Sequence, residues 1–245
     1  YSYIAPSSYI DVNIHGTLNV LQACRDHEIG RLIHTSTSEV YGSAQYVPID
    51  ERHPLVGQSP YSASKIGADQ LAHSFWTSYG LPITTIRPFN TYGPRQSQRA
   101  LIPSVIVQAL AKSREVSLGF LEPTRDLTFV KDTARGFADS LESEAGVGET
   151  FNMGSGFEVS MADVVDMIFE IAGYRPKVVL DEQRVRPKAS EVERLWSDSS
   201  KFERTFSWKP EHSGRDGLQL GLEKTYEWFT AQTYTSGYEP NAYVR

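Results

Sequence analysis

The chain has 245 residues, 40% of them hydrophobic and 22% charged, enough apolar content to bury one large core or two smaller ones and to exclude a disordered chain. A formal net charge of -6 gives no broad basic footprint and argues against nucleic acid as a partner, whereas a small anionic ligand held by local arginines fits. The single cysteine, Cys24, has no disulfide partner and no metal-site spacing around it. It therefore favours a reducing, cytoplasmic setting without a metal site, and no run approaches the roughly 20 apolar residues of a membrane span.

The sequence opens on Tyr1, in a loop that runs straight into an amphipathic helix, and reads as the middle of a domain. Ile14, Leu18, Val20 and Leu21 recur at helical spacing, and Gly30 stands where a helix stop belongs. Residues 31–37, RLIHTST, are short and β-branched, as a buried strand is, and SEVYG then turns away from its C-terminal end. Residues 61–79 have helical periodicity, and Pro82 introduces another strand, ITTIRPF. Strand, helix and strand in this order predict a parallel sheet covered by helices, with ligands at the C-terminal ends of its strands.

Beyond Asn90 the pattern changes to a loop rich in Arg, Gln and Pro, a helix over 102–112, a strand at 116–118 and the segment RDLTFVKDTARGFADSLES. We expect residues 1–100 to belong to one unit built on that sheet, with a return strand near 149–155. Residues 101–245 form mainly a smaller mixed α/β unit interleaved with it. Ser160 reads as the cap of a helix over MADVVDMIFEIAG, and the tail at 237–245 as an exposed, weakly ordered end.

Tyr61-Ser62-Ala63-Ser64-Lys65 places a phenol and an ammonium on one helix face, one turn apart. A lysine held near a tyrosine is expected to lower the phenol's pKa and make a phenolate available as a base for a sugar hydroxyl. The same two residues four apart also occur as a plain surface pair, so their context decides. That context is TSTSEVYG before the Tyr61 helix, then ITTIRPFNTYGPRQ, RDLTFVKDTA and ETFNMGSG after it, all in one order.

In this order and spacing the chain resembles, over nearly its whole length, the extended short-chain dehydrogenase/reductase family, specifically its nucleotide-sugar dehydratases and epimerases. The resemblance implies a Rossmann-like doubly wound parallel sheet, a smaller mixed α/β substrate domain, NAD as cofactor, and a homodimer paired through helices 10–28 and 61–79. It also implies a structural role for Asn13. The family's N-terminal portion of about 80 residues, whose Gly-rich turn binds the cofactor pyrophosphate, has no counterpart among these residues.

By the same resemblance, Thr37 hydrogen-bonds the C4 oxygen of the sugar, and Ser38 and Glu39 fall where the subclasses differ. An acid at position 39 points away from plain 4-epimerisation and towards 4,6-dehydration or glucuronate decarboxylation. In a dehydratase, Tyr61 deprotonates the C4 hydroxyl as hydride passes to NAD, and Glu39 removes the acidified C5 hydrogen. Loss of the C6 hydroxyl and return of hydride then leave a 4-keto-6-deoxy sugar. Ser38 stands where glucose-type dehydratases have an Asp, which leaves the proton donor to Glu39 or water.

Tyr61, Lys65, Pro88 and Phe89 are the expected cofactor contacts. Asn90 is expected at the sugar or diphosphate, and the stretch Leu101, Ile102, Pro103 at the nucleotide base. Arg125, Asn152 and Arg186 are expected around the diphosphate and ribose, since guanidinium forks suit phosphate oxygens, and Glu191 at a ribose hydroxyl. TSTSEVYG, FNTYGPRQSQRALIP, EPTRDLTFVKD and RPKASEVERL most resemble the dehydratases of nucleotide-linked N-acetylglucosamine on the route to legionaminic-acid-type sugars. The competing expectations are a UDP-glucuronate-type decarboxylase or a 4-epimerase and, in another class, a non-catalytic nucleotide-sugar-binding fragment.

Overall fold

A computed structural model describes residues 2–184 and 191–231. The chain enters through a helical turn, α1 (Pro6–Tyr9), one π-helical turn (Ile10–His15) and α2 (Gly16–Asp26). A continuous helix was expected here. The wider π-turn lets Asn13 and Ile14 both meet the neighbouring helix α3 (Pro60–Tyr79), where Asn13 Nδ2 donates to Ser64 Oγ at 2.9 Å and Ile14 lies against Gly67.

Strands β1 (Leu32–Thr35), β2 (Ile83–Pro88) and β6 (Thr150–Met153) form a parallel sheet in the order β1-β2-β6, with Ile33 opposite Thr84 and Ile86 opposite Phe151. β2 is central and buried along most of its length, as its β-branched run ITTI predicts. Ile83 and Ile86 fall on opposite faces because side chains alternate along a strand. Ile83 packs with Leu21, Ala72 and Phe75 of α2 and α3. Ile86 packs with Phe151 and Met153, and with Phe202, Phe206 and Trp208 around α7 (Ser200–Phe206). Helices on both faces make the sheet Rossmann-like and doubly wound.

The second layer is mixed, as expected. β3 (Asn90–Tyr92) runs parallel to β5 (Thr124–Phe129), which pairs antiparallel with β7 (Glu158–Ser160). β4 (Glu115–Leu118) and β8 (Lys177–Leu180) form a separate parallel pair. The largest core lies here, between α4 (Leu101–Leu110), α6 (Met161–Ala172) and α8 (Gly214–Thr230), with α5 (Val130–Glu142) following β5 directly. Strands β3 and β7, of three residues each, are too short for periodicity to announce. Among the described residues no helix is long and apolar enough to cross a membrane.

Helix α3 carries the chemistry expected from the sequence, and its start is fixed locally. Ser59 Oγ accepts from Ser62 N at 3.1 Å, Ser62 Oγ accepts from Ser59 N at 2.9 Å, and Pro60 occupies the first turn. Ser59→Ala should therefore lower stability by about 1 kcal/mol, read as a shift in urea midpoint at unchanged slope.

Candidate active site

β1 ends at Thr35, and Ser36 extends it by one bond, donating from its backbone N–H to Ile86 O at 2.7 Å. Thr37 is extended, and its hydroxyl accepts from Glu39 N at 3.2 Å, so it caps a single 3₁₀ turn over Ser38–Tyr41. Val40 and Tyr41 anchor that turn in a buried cluster with Ile49, Phe89, Val192 and Leu195. Ser38 is also buried, which leaves half-buried Glu39 as the side chain the turn presents. Gly42, at φ 63, closes the turn where a Cβ would collide with Gln58.

The first turn of α3 lies against this strand end. The Thr37 side chain lies beside the Tyr61 phenol, the Glu39 charge acts on the same phenol, and the Tyr9 ring stands edge-on to it with centroids 5.9 Å apart. Lys65, one turn along, donates from Nζ to Thr35 O at 2.6 Å. The structure thus brings Thr37, Glu39 and Tyr61 together, with Lys65 beside them. The expected lowering of the phenol's pKa by Lys65 is corrected. Burial pushes Tyr61 above the ordinary phenol value, the Thr37 side chain opposes this, and the charge of Glu39 adds to it. Burial in turn pulls Lys65 down, partly offset by the negative charge of Asp69.

Asp69, a further turn along α3, is the centre of a buried polar cluster that sequence reasoning missed. Its Oδ1 accepts from His34 Nε2 at 3.0 Å, and its Oδ2 accepts from Ser36 Oγ at 2.8 Å and from Arg87 Nε and Nη2 at 3.2 and 3.1 Å. Burial alone would raise this carboxyl, but the His34 bond and the Arg87 charge reverse the effect and hold it below 3.8. Arg87 Nη1 donates onward to Tyr41 Oη at 3.0 Å, and Tyr41 donates to Asn152 Oδ1 at 2.6 Å. The spacing Lys65 to Asp69, four apart on one helix, was the available signal, as was Arg87 inside an apolar strand.

The expected ligand contacts divide. Asn90 Oδ1 is buried with no hydrogen-bond partner. Leu101 and Ile102 open α4, where Ala100 supplies no side-chain cap, so first-turn amides are available, although the Ile102 and Pro103 side chains are buried. Arg125 and Glu191, expected on different parts of the ligand, face each other at 3.4 Å. Pro88 is half-buried at the end of β2.

Two expectations are corrected. Phe89 turns into the cluster around Val40 and Ile49, at 2% exposure, instead of offering its ring to a nicotinamide. Asn152 is fully buried, its Nδ2 donating to Ile49 O at 2.9 Å and its Oδ1 taken by Tyr41. It ties β6 to the loop after β1, and its full burial keeps the side chain from a phosphate. Arg186 lies outside the described residues.

The family profile for GDP-mannose 4,6 dehydratase matches residues 1–220. A dTDP-glucose 4,6-dehydratase of Xanthomonas campestris pv. campestris is 32% identical over 263 residues, covering 97% of this chain and 71% of that protein. The chain belongs to the extended short-chain dehydrogenase/reductase family, among its NAD-dependent epimerases and dehydratases. Two members of known structure share its fold. DesIV, a dTDP-glucose 4,6-dehydratase of Streptomyces venezuelae solved with NAD bound, has a TM-score of 0.84 at 30% identity and covers 98% of this chain and 71% of its own. A UDP-N-acetylglucosamine 4-epimerase from Methanobrevibacter ruminantium M1 also has a TM-score of 0.84, at 29% identity, covering 94% and 73%.

In this member of the family a cavity of about 250 Å³ opens behind α3, lined by Asp69, His73, Trp76, Thr85, Arg87 and Thr150 among others. None of the residues expected to carry chemistry lines it; Tyr61 and Lys65 stand nearer the start of α3.

Two outcomes follow from this geometry. In an ultraviolet titration, the tyrosine signal removed by Tyr61→Phe should ionise above the ordinary phenol value of 10.0. Arg87→Ala should cost about 3–5 kcal/mol in denaturant unfolding, because it leaves the Asp69 carboxylate buried without its guanidinium.

Proposed function

We propose that this chain carries the catalytic centre of an NAD-dependent nucleotide-sugar 4,6-dehydratase acting on UDP- or GDP-N-acetylglucosamine to give a 4-keto-6-deoxy sugar. The observation that carries this reading is that the turn leaving β1 sets Thr37 and Glu39 beside the Tyr61 phenol, with Thr37 bonded to the backbone of Glu39 and the Glu39 charge acting on the phenol. A 4-epimerase has no proton to remove at C5, whereas a dehydratase requires a base there, and the carboxylate of Glu39 can serve as one. The wording of the flanking segments supports an N-acetylhexosamine, and the dTDP-glucose dehydratases among the relatives support the reaction class.

The residues present suit the nicotinamide end of NAD. The Lys65 ammonium has three donors, of which the Thr35 carbonyl takes one, so it can hold a ribose hydroxyl, and half-buried Pro88 can flank the ring. When bound, NAD supplies reversible oxidation at C4. Thr37 orients the C4 hydroxyl and Tyr61 accepts its proton. Glu39 removes the proton at C5, and Glu39 or a water protonates the leaving C6 hydroxyl.

We assign the diphosphate to Arg125 with Arg186, a ribose hydroxyl to Glu191, the sugar or diphosphate to Asn90, and the base to the backbone of Leu101–Pro103. Residues 1–100 with β6 then form the cofactor side and the later residues the substrate side. Exposed Ile10, Val12 and Tyr79 on the helices that flank β1 and β2 support a homodimer, and the lone cysteine a cytoplasmic location.

Buried Ser38 gives a second reading its support, because no acid stands beside Glu39 for the leaving hydroxyl, and decarboxylation or epimerisation needs none. Incubation with UDP- and GDP-N-acetylglucosamine in deuterated water, followed by nuclear magnetic resonance, should give a 4-keto sugar with deuterium at C5. A C4-inverted sugar without C5 exchange, carbon dioxide from a UDP-glucuronate control, or binding with no conversion would each overturn the dehydratase. Tyr61→Phe and Glu39→Gln should each lower turnover at least about 100-fold while leaving nucleotide-sugar affinity unchanged in calorimetry.

A further inference from the structure

We propose that Asp69 is the positioning residue of the Tyr61–Lys65 pair: it locks the catalytic helix to the end of β1 and places a buried negative charge one turn from the Lys65 ammonium. This rests on the reading of Tyr61 and Lys65 as the catalytic pair and adds to it a residue that does not touch substrate.

The geometry is specific. Residues two apart on a strand share a face, so His34 and Ser36 both turn towards α3, and both bond to Asp69, at 3.0 and 2.8 Å. Between them stands Thr35, whose carbonyl takes the Lys65 ammonium, and directly after them Thr37, which lies beside the Tyr61 phenol. One carboxylate therefore holds the strand on both sides of the lysine's partner and one residue short of the tyrosine's. Arg87 fixes the same carboxylate from β2, so Asp69 spans two strands and the helix.

The groups facing Asp69 are His34 from β1, Ser36 just beyond it, Arg87 from β2, and Lys65 and Tyr61 from its own helix, where its charge raises the phenol as well as the ammonium. Only Arg87 is a direct, permanently charged partner, and Tyr41 shares its guanidinium. The remaining negative field reaches Lys65, where it works against the effect of burial. An ammonium kept charged in a half-buried site is what a tyrosine base requires beside it.

The test uses the NAD-loaded, full-length enzyme and its Asp69→Asn variant, which keeps shape and removes charge. Lysines labelled with carbon-13 at Cε, assigned through Lys65→Met, should show the Lys65 signal titrating at lower pH in Asp69→Asn. We expect kcat to fall about 10- to 100-fold with KM for the nucleotide sugar unchanged, and the pH–rate profile to move with the lysine. A purely structural role would lower thermal stability and leave the Lys65 titration in place.

Ser36→Ala keeps the charge and removes one link. It should lower kcat without moving the Lys65 titration, and it carries the test if Asp69→Asn does not fold. A folded Asp69→Asn with wild-type Lys65 titration, or Ser36→Ala with wild-type kcat, overturns the proposal. Full turnover in Tyr61→Phe and Lys65→Met would instead overturn the catalytic reading, while the Lys65 titration would still report on Asp69.

Discussion

The arrangement of this protein depends on one buried carboxylate. Asp69 is 4% exposed and would be costly there alone, yet it gathers an imidazole, a hydroxyl and a guanidinium from two strands onto the helix that carries Tyr61 and Lys65. Apolar packing of α3 on the sheet is non-directional and would tolerate a small slide or rotation of the helix. Hydrogen bonds of defined length to adjacent strands do not, so the polar cluster sets the register that packing leaves loose.

A second tie joins the catalytic turn to the substrate side. Val40 and Tyr41 pack with Val192 and Leu195, and Ser43 Oγ bonds to the backbone of Glu191, so the segment bearing Glu191 is stitched to the segment bearing Glu39. Asp126 does the same deeper in the fold. It accepts from Ser155 N and Oγ, Gly156 N and Ser197 N, linking β5, the turn after β6 and the strap that returns past them, and burial raises its carboxyl to about 6. Both ties run through irregular chain, where side-chain acceptors satisfy backbone donors that no ladder reaches.

A third cluster shows how polar groups are kept satisfied away from the site. Asp132, at the start of α5, accepts from the backbone of Glu211 and His212 and from the His212 ring, whose other nitrogen lies 2.8 Å from Lys224 Nζ. Arg135 bridges Asp132 and Glu211. Each carboxylate already faces a cation, and the cluster binds α5 to α8 through the loop between α7 and α8.

The sequence by itself determined the order of strand and helix, the presence of Tyr61 and Lys65 on one helix face, and Glu39 just past a strand end. Each of these follows from spacings of a few residues, where backbone geometry leaves little choice. Only the tertiary structure decided which way the pKa of Tyr61 moves, because desolvation depends on what covers the ring. It alone turned Phe89 and Asn152 inward, and it paired Arg125 with Glu191 across 66 residues. Asp69 is the clearest case. Its partners His34 and Ser36 lie 35 and 33 residues away, distances over which no periodicity carries information, and they meet only because β1 and β2 pack beneath α3.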